Sequence, residues 1–258
     1  MTFNIRTSGS DDGQNDWVHR RGLVADTFGR LAPDVAGLQE VLDDQVEWLA
    51  GALPGWRWLG ADRGLNGGTG LSEYTPIFYQ PATLIPIESG TFWLSSDPSG
   101  PTGSGWRRNV SRIVTWAHFH HRESGRRVYV FNTHLTLRRG PRQVESARRI
   151  AERAAALPAG SAVIVTGDFN AMAEISETWL AATGRGLRDA WLLAGERSGP
   201  PRTSSDFRPP ELANEGRIDW ILVSGPIGVR SVTTVVDHDD GRYPSDHYPV
   251  VAQLDLGP

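Results

Sequence analysis

Seven side chains able to bind a metal or move a proton stand at the ends of short apolar runs: Glu40, His134, Asp168, Asn170, Asp219, Asp246 and His247. In AVIVTGDFNA, Val163–Val165 is followed by Gly167, Asp168, Phe169 and Asn170. A strand period carried through this segment predicts Asp168 and Asn170 on one side and Phe169, as an anchor, on the other. A carboxylate beside an amide can orient a water or hold a metal; a Gly-Asp turn with an Asp cap is the plainer alternative. VYVFNTHL repeats the arrangement with Asn132 and His134, where a hydrogen-bonded structural histidine competes with a catalytic one. VAGLQE ends in Gln39 and Glu40, and an acid there equally suits a helix N-terminus. RIDWILVS starts a buried strand with Asp219, and YPSDHYPVV sets Asp246 and His247 before another, with Ser245 and Asp246 as turn residues the alternative. A carboxylate entering a sheet needs a partner, because unpaired burial is costly. His247 is available to Asp219, and such a pair would hold the imidazole in one tautomer and raise its basicity.

The elements that must position these groups are read from apolar periodicity. Strand-length runs occur at Val35–Leu38, Pro76–Tyr79, Val114–Phe119, Val128–Phe131, Ala162–Val165, Trp220–Val223 and Pro249–Leu254. Helical patterns cover Trp17 to Leu31, Leu42 to Leu53 and Val144 to Leu157. The last sets Val144, Ala147, Ile150, Ala151 and Ala154 on one face and its arginines largely elsewhere, as a solvated face. Stretches 60–72, 95–108 and 196–216 are rich in Gly, Pro, Ser or charge and are candidate walls of a substrate site. No repeat or low-complexity tract interrupts the 258 residues, and one domain is expected.

Composition narrows the chemistry. With 39% hydrophobic and 22% charged residues the chain has ample material for a core. The basic residues are all arginine, which excludes a lysine Schiff base and a P-loop lysine. There is no cysteine, so thiolate nucleophiles, disulfides and cysteine-bound zinc are excluded. A net charge of -4 and a pI near 6.0 provide no global field for polyanions, so nucleic acid is a partner that charge does not favour. No apolar run approaches a membrane span, and no signal peptide is visible. A cytoplasmic monomer with no membrane partner is expected for the chain as it stands.

The ordered series TFNIR, LQE, EYTPIFY, SRIVTW, FNTHL, GDFNA, RIDW, SDHYPV runs over nearly the whole chain. It resembles the endonuclease/exonuclease/phosphatase superfamily, the deoxyribonuclease I-like proteins. The resemblance implies an α/β fold, a four-layer α/β sandwich of two mixed β-sheets packed face to face with helices outside, and a site at one end of it. It implies Mg²⁺, with Mn²⁺ as a substitute, held by Glu40 with Asn4 beside it, and Asp246 as a metal or metal-shell carboxylate. Asp168 and Asn170 match the pair that orients the attacking water or a second metal. Asp219 and His247 match an Asp-His pair whose histidine contacts the phosphate, and His134 matches the second histidine. Glu73 looks like the acid that orients His134, and Arg112 like a phosphate contact.

Three departures qualify the match. Arg6 stands where many members carry an Asp, which favours a one-metal site. Thr136, Leu137, Arg138 and Arg139 come after the THL segment where related sequences have Asp, so substrate contacts there are expected to differ. Met1 lies three residues before Asn4, an abbreviated first strand consistent with a start upstream and then with secretion.

The expected activity is metal-assisted, in-line hydrolysis of a phosphate ester, a phosphodiester being favoured. A nuclease on single strands and a phosphatase on a small molecule such as an inositol phosphate are the alternatives, and a catalytically silent binding protein is a further one. Among 10 tryptophans, Trp106 stands beside Arg107 and Arg108 and is a candidate substrate contact, since an indole next to guanidinium groups can stack on a base or sugar. Trp116 and Trp220, inside strands, are expected to pack.

Overall fold

The structure is a computed structural model that describes residues 1–64, 72–94, 112–214 and 216–257. The strands in chain order are β1 (Thr2–Asn4), β2 (Val35–Gln39), β3 (Arg57–Leu59), β4 (Ile77–Tyr79), β5 (Leu84–Trp93), β6 (Ile113–His121) and β7 (Arg127–His134). They continue as β8 (Ala162–Asp168), β9 (Arg188–Asp189), β10 (Glu196–Ser198), β11 (Asp219–Ser224), β12 (Ile227–Thr234) and β13 (Val250–Leu256). The α-helices are α1 (Trp17–Leu31), α2 (Asp43–Ala52), α3 (Pro141–Ala155), α4 (Glu177–Thr183) and α5 (Ala190–Leu193).

Among the described residues these strands form two mixed sheets, one in the order β10-β12-β13-β1-β2-β4-β3 and the other β5-β6-β7-β8-β11-β9. Every central strand is covered on both faces, which is why the runs read as continuous apolar stretches rather than alternating ones. In β8, Val163 and Val165 pack against Ala147, Ile150 and Ala151 of α3, while Ala162 and Ile164 pack with Ile77 and Val250 of the opposite sheet. Phe3 of β1 and Leu38 of β2 face Val24 and Phe28 of α1 and Leu49 of α2. The result is the expected four-layer sandwich, helices outside and two sheets within.

The inward-facing residues change character along the strands. In β7 they run Val128, Val130, Asn132, His134, and in β8 Ala162, Ile164, Thr166, Asp168. One end of the intersheet space is therefore oily, the middle polar and the far end titratable. The middle layer is a hydrogen-bonded bridge between the sheets. Gln39 Nε2 donates to Asn132 Oδ1 (2.7 Å), Thr166 Oγ1 donates to the same oxygen (3.2 Å), and Asn132 Nδ2 donates to the Leu38 carbonyl (2.7 Å). All three side chains are buried, so each bond also averts an unpaired polar group. Gly37 is what lets this layer close: a Cβ there would lie 2.1 Å from Thr166 Oγ1 and 2.4 Å from Asn132 Oδ1. Gly37→Ala is expected to cost about 3 kcal/mol or more in denaturant unfolding, because it must break the bridge to fit. A cost below about 1 kcal/mol would show the layer to be soft.

Helix α1 keeps the bounds read from periodicity, and α3 begins earlier than Val144 because Pro141 suits a first helical turn. Strand β5 escapes a pattern search: half of it is exposed, it carries Pro86 and a bulge between Pro86 and Glu88, and among the described residues it pairs only with β6 at the sheet edge. Trp220 is fully buried and stacked on Phe169, and Trp116 packs against the same core, as expected of strand tryptophans. No helix among the described residues is long and apolar enough to cross a membrane.

Candidate active site

Strand register builds the site. His134 of β7 pairs with Asp168 of β8, and Asp168 pairs with Asp219 of β11, so three adjacent strands deliver three titratable side chains in one row. Across the intersheet space, β1 and β2 end at Asn4 and Gln39, which are themselves register partners. Glu40 would face outward if β2 continued. Its left-handed backbone (φ 62°) turns the side chain back, so that Oε1 accepts from Asn4 Nδ2 (3.0 Å) and Oε2 from the Thr7 amide (3.2 Å). Asn170 (φ 51°) and Arg6 (φ 56°) share that backbone state. Non-glycine residues adopt it at a cost of about 1 kcal/mol each, so local contacts must hold them there. Asp168 and Asn170 do come together, but through this reversal and not through a continued strand, since β8 ends at Asp168. Phe169 is buried between them as the anchor.

Asp168, 1% exposed, is the hub: Oδ1 accepts from the Asn170 amide (2.8 Å) and Oδ2 from Asn4 Nδ2 (3.0 Å). His134 Nε2 lies 3.6 Å and His247 Nε2 3.9 Å from Oδ2. The Asn170 amino group donates to the Leu135 carbonyl (3.0 Å) and reaches His134 Nε2 (2.9 Å). Because the carbonyl fixes the amide's orientation, His134 Nε2 is the acceptor, and its proton sits on Nδ1, 3.7 Å from Glu73 Oε2.

On the other flank His247 Nδ1 donates to Asp219 Oδ2 (2.9 Å), and the Asp219 amide donates to Thr203 Oγ1 (3.1 Å). Burial disfavours the imidazolium of His247, but Asp219, Asp168 and Asp246 outweigh it and hold its titration well above the usual imidazole range. Burial, joined by the charge of Asp168, pushes the Asp219 carboxyl up to about 6 against the opposing pull of His247. Asp246 is likewise raised by burial. It lies 3.5 Å from Arg6 Nη1, and Arg6 also forks onto Asp12 (2.9 and 2.8 Å). Ser245 Oγ donates to the Asn4 carbonyl (2.6 Å), tying this loop to β1.

All the candidates but Trp106 are therefore placed; Trp106, with Arg107 and Arg108, lies outside the described residues. Of the candidate walls, 95–108 lies outside them, 60–72 does so in part, and 196–216 packs onto the site through Thr203 and a bridge from Ser204 to His247. Sequence reasoning missed Arg63, which contacts Glu73, as well as Thr203 and Asp12. An arginine in a Gly-rich stretch carries no local signal, and the polar run around Thr203 reads as an ordinary loop.

Burial pushes the Glu73 carboxyl up, yet His134, Arg63 and Arg112 together draw it down to about 2 from an ordinary 4.5. A depressed carboxylate stabilises the fold above its unfolded value, and that contribution is lost as pH falls from about 4.5 through about 2. The loss should amount to at most ~3 kcal/mol, and Glu73→Gln should lack this acid limb in pH-dependent unfolding; equal limbs would sink the assignment.

The donor set fits a hard divalent cation. Glu40, His134 and Asp168 bring ligand atoms within 4.8 Å of one another, as do Asp168, Asp219 and His247. In both groups the histidine is already engaged, His134 Nε2 with Asn170 and His247 Nδ1 with Asp219, so the carboxylates of Glu40 and Asp168 supply the hard oxygen ligands. Asp219 Oδ1 is buried with no hydrogen-bond partner among the described residues, an acceptor still open at the row.

Fold and row together suit phosphate-ester chemistry, and the sequence agrees. Over residues 1–247 the chain matches the endonuclease/exonuclease/phosphatase family, and it belongs to that family. Its members are hydrolases acting on phosphate esters. Among solved structures it is similar to the mannosyl-6-phosphatase of Bacteroides thetaiotaomicron VPI-5482, at 29% identity over 98% of each chain with a TM-score of 0.89. It is also similar to an endonuclease/exonuclease/phosphatase protein of Bacteroides vulgatus, at 30% identity over 99% of this chain and 97% of that one, TM-score 0.89. D. rerio TDP2, complexed with a single-strand DNA product, shares the fold at 18% identity over 98% and 97%, TM-score 0.74. A search of curated proteins finds no match.

Proposed function

We propose that the chain is a divalent-metal-dependent phosphomonoesterase acting on a phosphorylated small molecule, a sugar phosphate being the favoured class. The row His134–Asp168–Asp219 with Glu40 facing it carries the phosphoesterase reading. The monoester preference rests on chain-long similarity at 29% identity to a mannosyl-6-phosphatase, where the DNA-bound relative supports only the fold. It favours the small-molecule phosphatase alternative over the phosphodiesterase that the sequence and its resemblance led us to expect, and the net charge of -4 agrees with a small substrate.

Glu40 and Asp168, drawn together by the Asn4 amino group that donates to both, would hold Mg²⁺ or Mn²⁺, which when bound would neutralise phosphoryl charge. Asp168 and Asn170 position the attacking water, Asp168 as proton acceptor. The His247 imidazolium, kept charged by Asp219, donates toward a phosphoryl oxygen as negative charge grows in the transition state. His134 faces the same space, oriented by Asn170 on one side and Glu73 on the other.

Release of inorganic phosphate from mannose 6-phosphate and other sugar phosphates should be measured beside hydrolysis of bis(p-nitrophenyl) phosphate and single-stranded DNA, with Mg²⁺, with Mn²⁺ and with chelator. Chelator-sensitive monoester turnover well above diester turnover is expected. Diester cleavage with no monoester turnover would overturn the preference, and activity indifferent to chelator would overturn the metal.

A further inference from the structure

Beside the titratable row lies a cluster that the reaction as described uses only in part. Glu73 Oε2 is contacted by Arg63, and Arg112 Nη1 and His134 Nδ1 each stand 3.7 Å from the same oxygen. Arg63 is 5% exposed. Its Nε and Nη1, and the Nε and Nη1 of Arg112, are buried without a hydrogen-bond partner among the described residues. Two guanidinium groups against one carboxylate leave a surplus positive charge where water is scarce. Such a surplus is costly unless an anion from outside completes it.

The two arginines are not equivalent. Arg63 takes the carboxylate at close range, whereas Arg112 stands off and keeps 16% of its side chain exposed. Arg112 immediately precedes β6, whose register sets Val114 opposite Thr133, so it enters the sheet beside His134 at the titratable end. Were Arg63 absent, Glu73 and Arg112 would be each other's natural partners, closing into a neutral pair.

We propose that Arg63 is a positioning residue: by occupying Glu73 it leaves the charge of Arg112 free to receive the terminal phosphoryl group of a dianionic monoester. The proposal rests on the phosphomonoesterase reading and deepens it. A monoester carries nearly two negative charges at neutral pH and a diester one, so a free guanidinium in contact with the phosphoryl group favours the monoester.

The test is calorimetric binding of inorganic phosphate to the intact protein with Mg²⁺, alongside KM and kcat for a monoester and a diester. Arg112→Met and Arg63→Met should each weaken phosphate binding about tenfold and raise KM for the monoester more than for the diester. The double variant Arg63→Met/Glu73→Gln should recover affinity to within about threefold of the unsubstituted protein, since removing the carboxylate frees Arg112 again. A merely structural Arg63 predicts no such rescue, and its absence overturns the role. Should Arg63→Met fail to fold by circular dichroism, Arg112→Met decides: unchanged phosphate affinity there overturns the subsite. If monoesters turn over but phosphate affinity ignores Arg112, this inference fails and the functional reading stands. If only diesters turn over, the functional reading fails, and the phosphate measurement still reports on the cluster.

Discussion

Asp168→Asn is expected to lower kcat by about 10³-fold or more while leaving the protein folded. The side chain is the one point where both halves of the site meet: it accepts from Asn4 across the sheets and from the Asn170 amide in its own turn, and both histidines approach it. Asparagine keeps the volume and one acceptor oxygen but has no charge to hold a cation and no basicity toward water. It can satisfy Asn4 or the Asn170 amide, not both, and the unpaired donor should cost about 1–2 kcal/mol. That loss is offset in part, because the native row places Asp168 directly beside Asp219 in register, and neutralising one of them removes like-charge repulsion. Mg²⁺ titration should show weakened binding together with the fall in kcat. A variant with kcat within tenfold of the parent would remove Asp168 from the chemistry.

Asp219→Asn should lower kcat by about 10²-fold or more through a different route, the protonation of His247. Asp219 heads the groups that hold the imidazolium well above its ordinary range, and it fixes which ring nitrogen faces the row. A raised folded value stabilises the native state fully below the ordinary imidazole range and progressively less as pH climbs through the folded value. The substitution should therefore bring the alkaline limb of kcat/KM down toward neutrality, and native stability near pH 7 should fall with it. An alkaline limb that does not move would show that His247 takes its charge from elsewhere.

Much of this site is legible in the sequence because its residues sit at strand ends and the strands are buried on both faces. Val163–Val165 announces β8 without ambiguity, and a chain leaving a buried strand must turn, so Asp168 and Asn170 stand out. The Asp219–His247 pair is implied by the cost of an unpaired carboxylate, and it is present in the fold. Register is not legible: nothing in the apolar runs states that His134, Asp168 and Asp219 fall opposite one another, since that depends on a parallel and an antiparallel pairing decided by the whole sandwich. The turning-in of Glu40 is hidden too, because strand alternation points the residue after Gln39 the other way. Arg63 is invisible for a third reason: its importance is a count of charges around one oxygen, which exists only once three distant segments have met.

Arg6, Glu40 and Asn170 hold the left-handed backbone state at the mouth of the site, and they do so without the help of glycine. These are places where the chain gives up stability to aim a side chain, so glycine there would make a hardier protein and a poorer enzyme. Lineages selected only for endurance, in heat or under proteases, would be expected to change at these three hinges before touching the sandwich. The wear of the activity would then show as a gain in robustness, with a sheet core that still looks intact.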